Sequence, residues 1–481
     1  MTERYLGSII SPSPVEPSEG FADSTASGVW NVHDPLIFGQ AGDWPDPTNA
    51  SPSKFIENLF SCFAYTGTGS SQTITNGIDF SGSGGLLWIK NRENVGGYAQ
   101  DHSLIDTERG HTVALKSNSN SANITQEYAL GTNGSFNSNG FTQASTNNQV
   151  NASGTPYMSW SFRKQPKFFD IVTATADSSG SILINHNLGT TPGFVMIKRT
   201  DSTSSWFCYH RGLSSPLDQY LTLNTDGVAG NFSGAFSNVT STTFQSNLGL
   251  PTGSEVVFYL FAHNNSDGGF GSTGDQDIIK CGSYTGNGSA SNSVTLGFEP
   301  QFLLIKNASG SNGWLLFDNI RGITHYGADD DRYIFANATD AEGASGNFLA
   351  LSADGFKLTV NNTNTNTDGS TYIYMAIRRG PMQTPTAATS VFNVQKYTGD
   401  GTQARKITTN FVVDANITSG LAVDYRTVIG ARLFDGILQT SQTTNQYYSL
   451  SGWMGYDHND GYIMGEAANY GYQNANSVEY I

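Results

Sequence analysis

The feature that most constrains this chain is a strand that recurs at a fixed interval. Three apolar segments end in Ile-Lys, namely LLWIKN, FVMIKR and FLLIKN, and their lysines are Lys90, Lys198 and Lys306. Residue 198 minus residue 90 and residue 306 minus residue 198 both give 108. Equal spacing of a matched segment indicates a tandem repeat, each copy being about the size of one domain.

Other features keep register with these lysines. Each lysine is followed by an Arg-Gly pair at Arg109-Gly110, Arg211-Gly212 and Arg321-Gly322, and each repeat closes with an aromatic-rich strand. Within a repeat, short runs of Val, Ile, Phe, Tyr and Trp alternate with Gly/Asn/Ser/Thr turns, which is typical of a β-sandwich or jelly roll. The run FLLIK predicts a central strand covered on both faces. The alternation in YIYMAIRR favours a strand with one face less deeply buried.

The predicted fold class is therefore all-β, with tandem jelly-roll-like β-sandwich domains stacked behind an extended N-terminal arm. The predicted parts are an arm over residues 1–53, repeats over 54–165, 166–275 and 276–380, a linker over 381–390, and a divergent C-terminal β region over 391–481. The last region lacks the Ile-Lys strand and is predicted to be too short for a complete unit.

The arm is predicted from its prolines. Seven of the 15 prolines of the chain fall before residue 54. Proline removes a backbone donor and breaks helices and sheet interiors, so this segment should lie extended. It cannot fold alone, and we expect it to dock on a partner or on its own trimer mates through Trp30, Ile37, Phe38 and Trp44.

Composition limits the partners. The net charge is −16, with 24 basic residues against 40 acidic ones, which argues against a nucleic-acid-binding surface. No segment has the length and hydropathy of a signal peptide or a membrane span. Cys62, Cys208 and Cys281 are odd in number and widely spaced, so they are predicted to be small buried hydrophobic residues of a protein that matures in a reducing cytosol.

Two acidic segments are candidate cation sites, and neither has a complete ligand spacing. They are Asp329-Asp330-Asp331 and Asp457-His458-Asn459-Asp460-Gly461. Solvated loops are the preferred interpretation, so no cofactor is predicted and Ca²⁺ is the one open alternative. The scattered histidines, including His186 and His210, are predicted to be packing or turn residues, and no catalytic residue is assigned.

The repeated lysines and arginines are predicted to belong to the fold. Each arginine would bind loop carbonyls or a carboxylate through charge-assisted hydrogen bonds. Repeated ligand sites are the less favoured alternative.

Aromatic residues near the C-terminus are candidates for contact with a receptor or glycan, because an aromatic ring fits the apolar face of a sugar. They are Tyr447, Tyr448, Trp453, Tyr456, Tyr462, Tyr470 and Tyr472. Core packing or trimer contact is the alternative for all of them. A depolymerase would need paired carboxylates, and Glu466 with Asp457 or Asp460 has no supporting spacing.

Several segments resemble structural proteins of marine tailed bacteriophages. They are RYLGSII and the Gly28-Val29-Trp30 element in the arm, GLLWIKNR and DTERG in the first repeat, the SWSFRKQPKFFDIV junction, and HNLGTTPGFVMIKR in the second repeat. The resemblance covers roughly residues 4 to 380. It implies a virion protein with a tail, fibre or receptor-recognition role, and it implies no catalytic residue.

We therefore expect a non-enzymatic structural component of a tailed-phage virion, made in the host cytoplasm and released without a signal peptide. A tail fibre or tail-associated protein that presents a host-recognition surface is preferred. The alternatives are a capsid decoration or head-fibre protein, and a carbohydrate-binding receptor protein or tailspike depolymerase. The expected partners are tail, nozzle or capsid proteins, a host surface glycan or protein, and two further copies in a homotrimer, with no nucleic acid and no membrane insertion.

Overall fold

The computed structural model describes most of the chain from residue 54 onward. The described residues are 54–94, 100–322, 331–343, 346–383, 385, 387–398, 405–420, 427–431, 437–439, 454–455, 459–464 and 476–480. The predicted arm lies outside them. The fold is all-β, as predicted, and every pairing between named strands is antiparallel. The helical elements of the described part are α1 (Phe80–Ser83) and 3-10 segments at Ile56–Asn58, Gln126–Tyr128 and Ala388–Ser390.

The strands fall into four successive groups, here called the first to fourth units. The first unit contains β1 (Phe60–Thr66), β2 (Gln72–Thr75), β3 (Gly85–Asn91), β4 (His102–Asp106), β5 (Val113–Ala114), β6 (Ile124–Thr125), β7 (Ser135–Asn137), β8 (Gly140–Gln143) and β9 (Pro156–Arg163). The second contains β10 (Phe169–Thr175), β11 (Ile182–Asn185), β12 (Phe194–Arg199), β13 (Phe207–His210), β14 (Gln219–Thr222), β15 (Gly230–Asn231), β16 (Phe236–Ser237), β17 (Thr243–Ser246) and β18 (Glu255–Phe261).

The third and fourth units follow the same plan. The third contains β19 (Ile279–Thr285), β20 (Asn292–Thr295), β21 (Pro300–Asn307), β22 (Trp314–Asp318), β23 (Ile334–Phe335), β24 (Leu349–Ser352), β25 (Gly355–Leu358) and β26 (Thr371–Arg378). The fourth contains β27 (Val394–Thr398), β28 (Arg405–Thr408), β29 (Ala415–Gly420), β30 (Val428–Ala431), β31 (Ile437–Gln439), β32 (Met454–Gly455), β33 (Gly461–Met464) and β34 (Asn476–Tyr480).

Each unit is a two-layer sandwich of one large and one small sheet. The large sheets have the orders β1-β9-β3-β4, β10-β18-β12-β13-β14-β15, β19-β26-β21-β22-β23 and β27-β34-β29-β30-β31. The small sheets have the orders β2-β8-β7, β11-β17-β16, β20-β25-β24 and β28-β33-β32. The fourth unit thus has the same strand order as the third. Our expectation that it is an incomplete unit was wrong, because its shorter sequence still provides every strand of the plan.

The large sheets of the first three units are buried on both faces. In β21, Leu303 and Ile305 face the small sheet of their own unit, whereas Phe302 and Leu304 face a core shared with the other units. The Ile-Lys strand is central and covered on both sides, as predicted. The expectation for YIYMAIRR was wrong, because β26 is buried along both faces except at its two end residues.

The shared core closes the first three units into a ring. Phe162 of the first unit lies 5.4 Å from Phe261 of the second and 6.0 Å from Phe302 of the third, measured between ring centroids. Phe194 of the second unit lies 6.2 Å from Trp314 of the third. The units therefore form a closed three-membered ring and not a linear stack. A linear stack would leave the apolar outer faces of its end units in water, which costs free energy in proportion to their area.

Glycine-aromatic turns position the small sheets. Gly140 has a φ of 127°, and a Cβ there would lie 2.0 Å from the carbonyl oxygen of Ile74. Gly355 and Gly461 stand equally close to the carbonyls of Val294 and Ile407. A side chain at these positions would clash with the paired strand, so the close approach requires glycine.

Candidate functional site

The three interfaces between neighbouring units of the ring, here called joints, contain the recurring lysines. Lys90, Lys198 and Lys306 have no exposed surface. Each Nζ donates to a backbone carbonyl of another unit: Lys90 to Thr339 at 3.3 Å, Lys198 to Asn120 at 3.3 Å and Lys306 to Asp226 at 3.1 Å. Burial lowers the pKa of each of these lysines to about 8. The repeated lysines thus belong to the fold.

A second set of contacts crosses the same three joints, and it connects the same pairs of units as the lysines do. In the next strand Lys90 is paired with His102 and Lys306 with Trp314. Trp206 directly precedes the Ile197–Phe207 pair and is therefore the corresponding residue for Lys198. Trp206 Nε1 donates to the carbonyl of Lys116 at 2.8 Å, and Trp314 Nε1 donates to that of Thr222 at 3.1 Å. His102 Nε2 lies 3.0 Å from the carbonyl oxygen of Phe335. Three ring nitrogens at equivalent positions therefore satisfy three carbonyls of the neighbouring units.

The direction of these contacts is cyclic. The first unit reaches the third, the second reaches the first and the third reaches the second. Contacts that all run one way around a ring are heterologous contacts that close, as in a cyclic trimer. Here the three members belong to one chain.

Two of the joints also contain a buried ion pair. Arg109 Nε donates to Asp106 Oδ2 at 2.6 Å, and Tyr259 of the second unit donates its hydroxyl to the same oxygen at 2.7 Å. In the third unit Arg321 Nε donates to Asp318 Oδ2 at 2.6 Å.

Trp160 of the first unit donates to the Asp318 oxygen at 3.0 Å. The prediction that each arginine binds loop carbonyls or a carboxylate is confirmed for the carboxylate partners of Arg109 and Arg321. Both arginines also donate to carbonyls, but these belong to the strand residues Leu104 and Leu316.

The remaining joint uses different chemistry. His210 occupies the position of the two aspartates and Met375 that of Trp160 and Tyr259. His210 is buried, which lowers its pKa to about 3 and keeps the ring neutral. Its Nε2 lies 3.1 Å from the carbonyl oxygen of Tyr374. A neutral residue is tolerated here because the following Arg211 is exposed and does not need a buried counterion.

The first and third units are not consecutive in the chain, and the joint between them contains an additional ion pair. Arg92 Nε and Nη2 each donate to the Glu342 carboxylate at 2.8 Å. Burial alone would raise the pKa of Glu342, but the Arg92 hydrogen bonds and the charges of Arg321, Arg92 and Arg332 hold it below its usual value. A bidentate pair of this kind fixes geometry as well as charge.

A cleft of about 1340 Å³ lies beside this joint. It separates the edge strand β1 and the end of the third unit from the fourth unit. Asn459 spans it, since its Nδ2 donates to the Ala64 carbonyl at 2.7 Å and its Oδ1 accepts from the Ala64 amide at 3.4 Å. Asn319 Oδ1 is buried in the wall and accepts no hydrogen bond from the described residues.

The structure bears on one of the predicted glycan contacts. Tyr462 is fully buried inside the fourth unit, so it cannot stack on a ligand, and its assignment as a contact residue was wrong. The signal was present in the sequence, since Gly461-Tyr462 matches Gly140-Phe141 and Gly355-Phe356. The other candidates, Tyr447, Tyr448, Trp453, Tyr456, Tyr470 and Tyr472, lie outside the described residues, as do the anchoring candidates Trp30, Ile37, Phe38 and Trp44.

The acidic segments are only partly described. Asp331 is buried, and its Oδ2 accepts from the amides of Phe348 and Leu349 at 2.7 and 2.9 Å. Asp460 is paired with Lys406 at 2.6 Å. Within the described ranges no group of three or more His, Cys, Asp or Glu residues could hold a metal ion. The same part of the chain has no helix that is long and apolar enough to cross a bilayer.

The cysteines behave as predicted. Cys62, Cys208 and Cys281 are free and buried, and burial raises the pKa of all three thiols. The sequence did not indicate His102, Trp206, Trp160 and Tyr259 as contact residues. Among these equivalent positions only Trp206 and Trp314 have the same residue type. The other equivalent positions can be identified only from the pairing register of the strands.

Comparison with known proteins identifies the family to which the ring belongs. No curated protein matches the sequence. Residues 51–381, more than half of the chain, match the family described as "Domain of unknown function (DUF7483)". The matched segment begins just before β1 and ends just after β26, so it coincides with the three units of the ring. The chain therefore belongs to this family of domains of unknown function.

Proposed function

We propose that this chain is a non-enzymatic structural protein of a tailed-phage virion. In this proposal residues 1–53 anchor it and the ring acts as a rigid platform that presents a host-recognition surface. The observation that carries the structural role is the closed ring, whose repeated plan places a lysine, a ring nitrogen and an aspartate or histidine at each joint. These polar groups form hydrogen bonds between units, so they hold the units together, as expected of a scaffold.

The phage assignment is supported by the resemblance of the arm and all three repeats to virion proteins. A tail fibre or tail-associated protein is the preferred position. A protein bound to the capsid as decoration or a head fibre would share the same arm and ring and would differ only in its docking partner.

The test is electron cryomicroscopy of the intact particle combined with mass spectrometry of purified virions. Density for the ring next to a portal, nozzle or other tail protein is the expected result. Density on the major capsid lattice would favour the decoration protein. Absence of the chain from purified particles would refute the virion proposal.

Variants of the arm provide a sharper test of anchoring. In the full chain, Trp30→Ala with Trp44→Ala should reduce incorporation into particles, because large aromatic side chains dominate docking contacts. Leu183→Ala, which alters an exposed apolar residue of the second unit, is the matched control and should leave incorporation unchanged.

The cleft beside β1 favours glycan binding as a second candidate function. It combines a large volume with the buried, unsatisfied Asn319 oxygen and the charged side chain of Arg379. Amide and guanidinium groups are suitable partners for sugar hydroxyls. Binding of host-surface oligosaccharides to the full chain, measured by calorimetry and lost in Asn319→Ala, would support this candidate. Equal binding to both proteins would exclude the cleft as the site.

A further inference from the structure

The fourth unit exposes a sheet face that the other three units bury. Strand register makes Ile417 the equivalent of Leu304, and Val394 the equivalent of Cys281. Leu304 is 3% exposed and Cys281 has no exposed surface, whereas Ile417 is 39% exposed and Val394 is 53% exposed. Phe392, two residues before Val394, is also exposed. An apolar face is thus left in water in the fourth unit.

The opposite face of the same sheet is closed. Asn416, Thr418 and Val428 alternate with the exposed positions and are buried against the small sheet, which contributes Ile407 and Tyr462. The unit is therefore folded as a sandwich, and the exposed residues belong to its outer face alone.

The fourth unit cannot join the ring of its own chain. The positions equivalent to Lys306, Trp314 and Asp318 are Ser419, Thr427 and Ala431. Ser419 and Thr427 are hydrogen bonded to each other, with 3.0 Å between their hydroxyl oxygens. The groups that reach across each ring joint are missing, and all three joints of the ring are already occupied.

We propose that three copies of the chain bring their fourth units together through this outer face, as a second three-membered ring formed between chains. The equivalent face of each of the other units is covered by another unit of the same plan in a ring of three. That internal ring is the observation that identifies the partner as the same unit of another copy.

The chemistry of the face is consistent with self-association. Its described outer positions include Phe392, Val394, Ile417, Ile429 and Ala431, with Ser419 and Thr427 at one end. Lys396 is the charged residue among these positions, and it lies in register with Ser419 at that polar end. The apolar part of the face can therefore be covered by another copy while the Lys396 ammonium stays in water. The face also lacks the buried ion pairs of the internal ring, so association should be reversible. The proposal does not depend on where the protein acts.

The experiment is a measurement of the mass of the full-length chain in solution. Sedimentation velocity and light scattering at micromolar concentration should give three times the chain mass of 51.6 kDa. Ile417→Thr and Val394→Thr keep β-branched side chains that suit a strand. Because each removes buried apolar surface from all three contacts, each should raise the concentration of half-assembly by about tenfold or more.

Leu183→Thr is the matched control, because Leu183 lies on β11 and is 57% exposed in the second unit. It should assemble as the unaltered protein does. A monomeric or dimeric unaltered protein would overturn the proposal, and so would unchanged assembly of both threonine variants.

A measurement on the unaltered protein covers the case in which a threonine variant unfolds. Hydrogen exchange of residues 392–394 and 415–419 should slow as the concentration rises through the assembly range, while exchange of residues 182–185 stays constant. Concentration-independent exchange at 392–394 and 415–419 would refute the proposed face.

Discussion

Replacing Asp318 by asparagine tests the ion pair at the joint between the first and third units. Asp318 Oδ2 accepts from Arg321 at 2.6 Å and from Trp160 at 3.0 Å, while Oδ1 accepts from the amides of Ile320 and Arg321. Asparagine has nearly the same shape and keeps one acceptor oxygen. The substitution therefore removes the charge with little change in volume.

The magnitude follows from the burial of the arginine. The side chain of Arg321 has no exposed surface, and a buried charge that loses its partner costs about 3–5 kcal/mol. The Glu342 carboxylate, 3.6 Å from Arg321 Nη1, still offsets part of that charge. We therefore expect Asp318→Asn to lower the free energy of unfolding by about 3 kcal/mol, the low end of this range. Adding Arg321→Met should restore more than half of the loss, because the uncompensated charge is then gone.

The assay is equilibrium unfolding in guanidinium chloride, followed by tryptophan fluorescence. Trp88, Trp160, Trp206 and Trp314 are all buried in the shared core, so the signal reports on the ring. Asp201→Asn is the matched control, because Asp201 pairs with Arg199 at 2.8 Å near the surface. It should cost less than about 1 kcal/mol. The reasoning is refuted if Asp318→Asn costs no more than the control, or if the double variant is no more stable than Asp318→Asn.

Three further perturbations test other parts of the ring. Gly140→Ala should cost at least about 2 kcal/mol more than Gly110→Ala in the same unfolding assay, because a Cβ at Gly140 meets a carbonyl at 2.0 Å whereas one at Gly110 meets no atom within 4 Å. The lowered pKa of Lys306, about 8, means that the unfolded chain binds more protons above that pH. Stability from this lysine therefore rises with pH, and Lys306→Met should reduce the rise between pH 7.5 and 9 by roughly 1 kcal/mol; an unchanged slope would contradict the role of its buried charge. The lowered pKa of Glu342 contributes stability that is present above the pKa of the unfolded chain and lost as the pH falls through the pKa of the folded protein. Glu342→Gln should thus be less stable than the unaltered protein at pH 7, and the difference should shrink as the pH is lowered below 4.5. A difference that does not shrink on acidification would show that its cost is not electrostatic.

The sequence by itself determined the strands and their grouping. The apolar runs, glycine turns and Ile-Lys interval are local signals, because strand propensity and turn chemistry act over a few neighbouring residues. They predicted the all-β fold, the central position of the Ile-Lys strand and the burial of the cysteines. The same signals could have placed Tyr462 in a core, since its preceding glycine matches Gly140 and Gly355.

Only the tertiary structure decided what covers the outer faces of the large sheets. Lys90 and Thr339 are 249 residues apart, and Trp160 and Asp318 are 158 apart, so nothing in their local sequence marks them as partners. YIYMAIRR shows the same limit, because its residues pack alternately on the small sheet and on the ring core. Burial of an apolar residue is favourable, but the surface that buries it depends on the shapes of distant units. That physical reason explains why the first three units close on one another and the fourth presents its outer face to solvent.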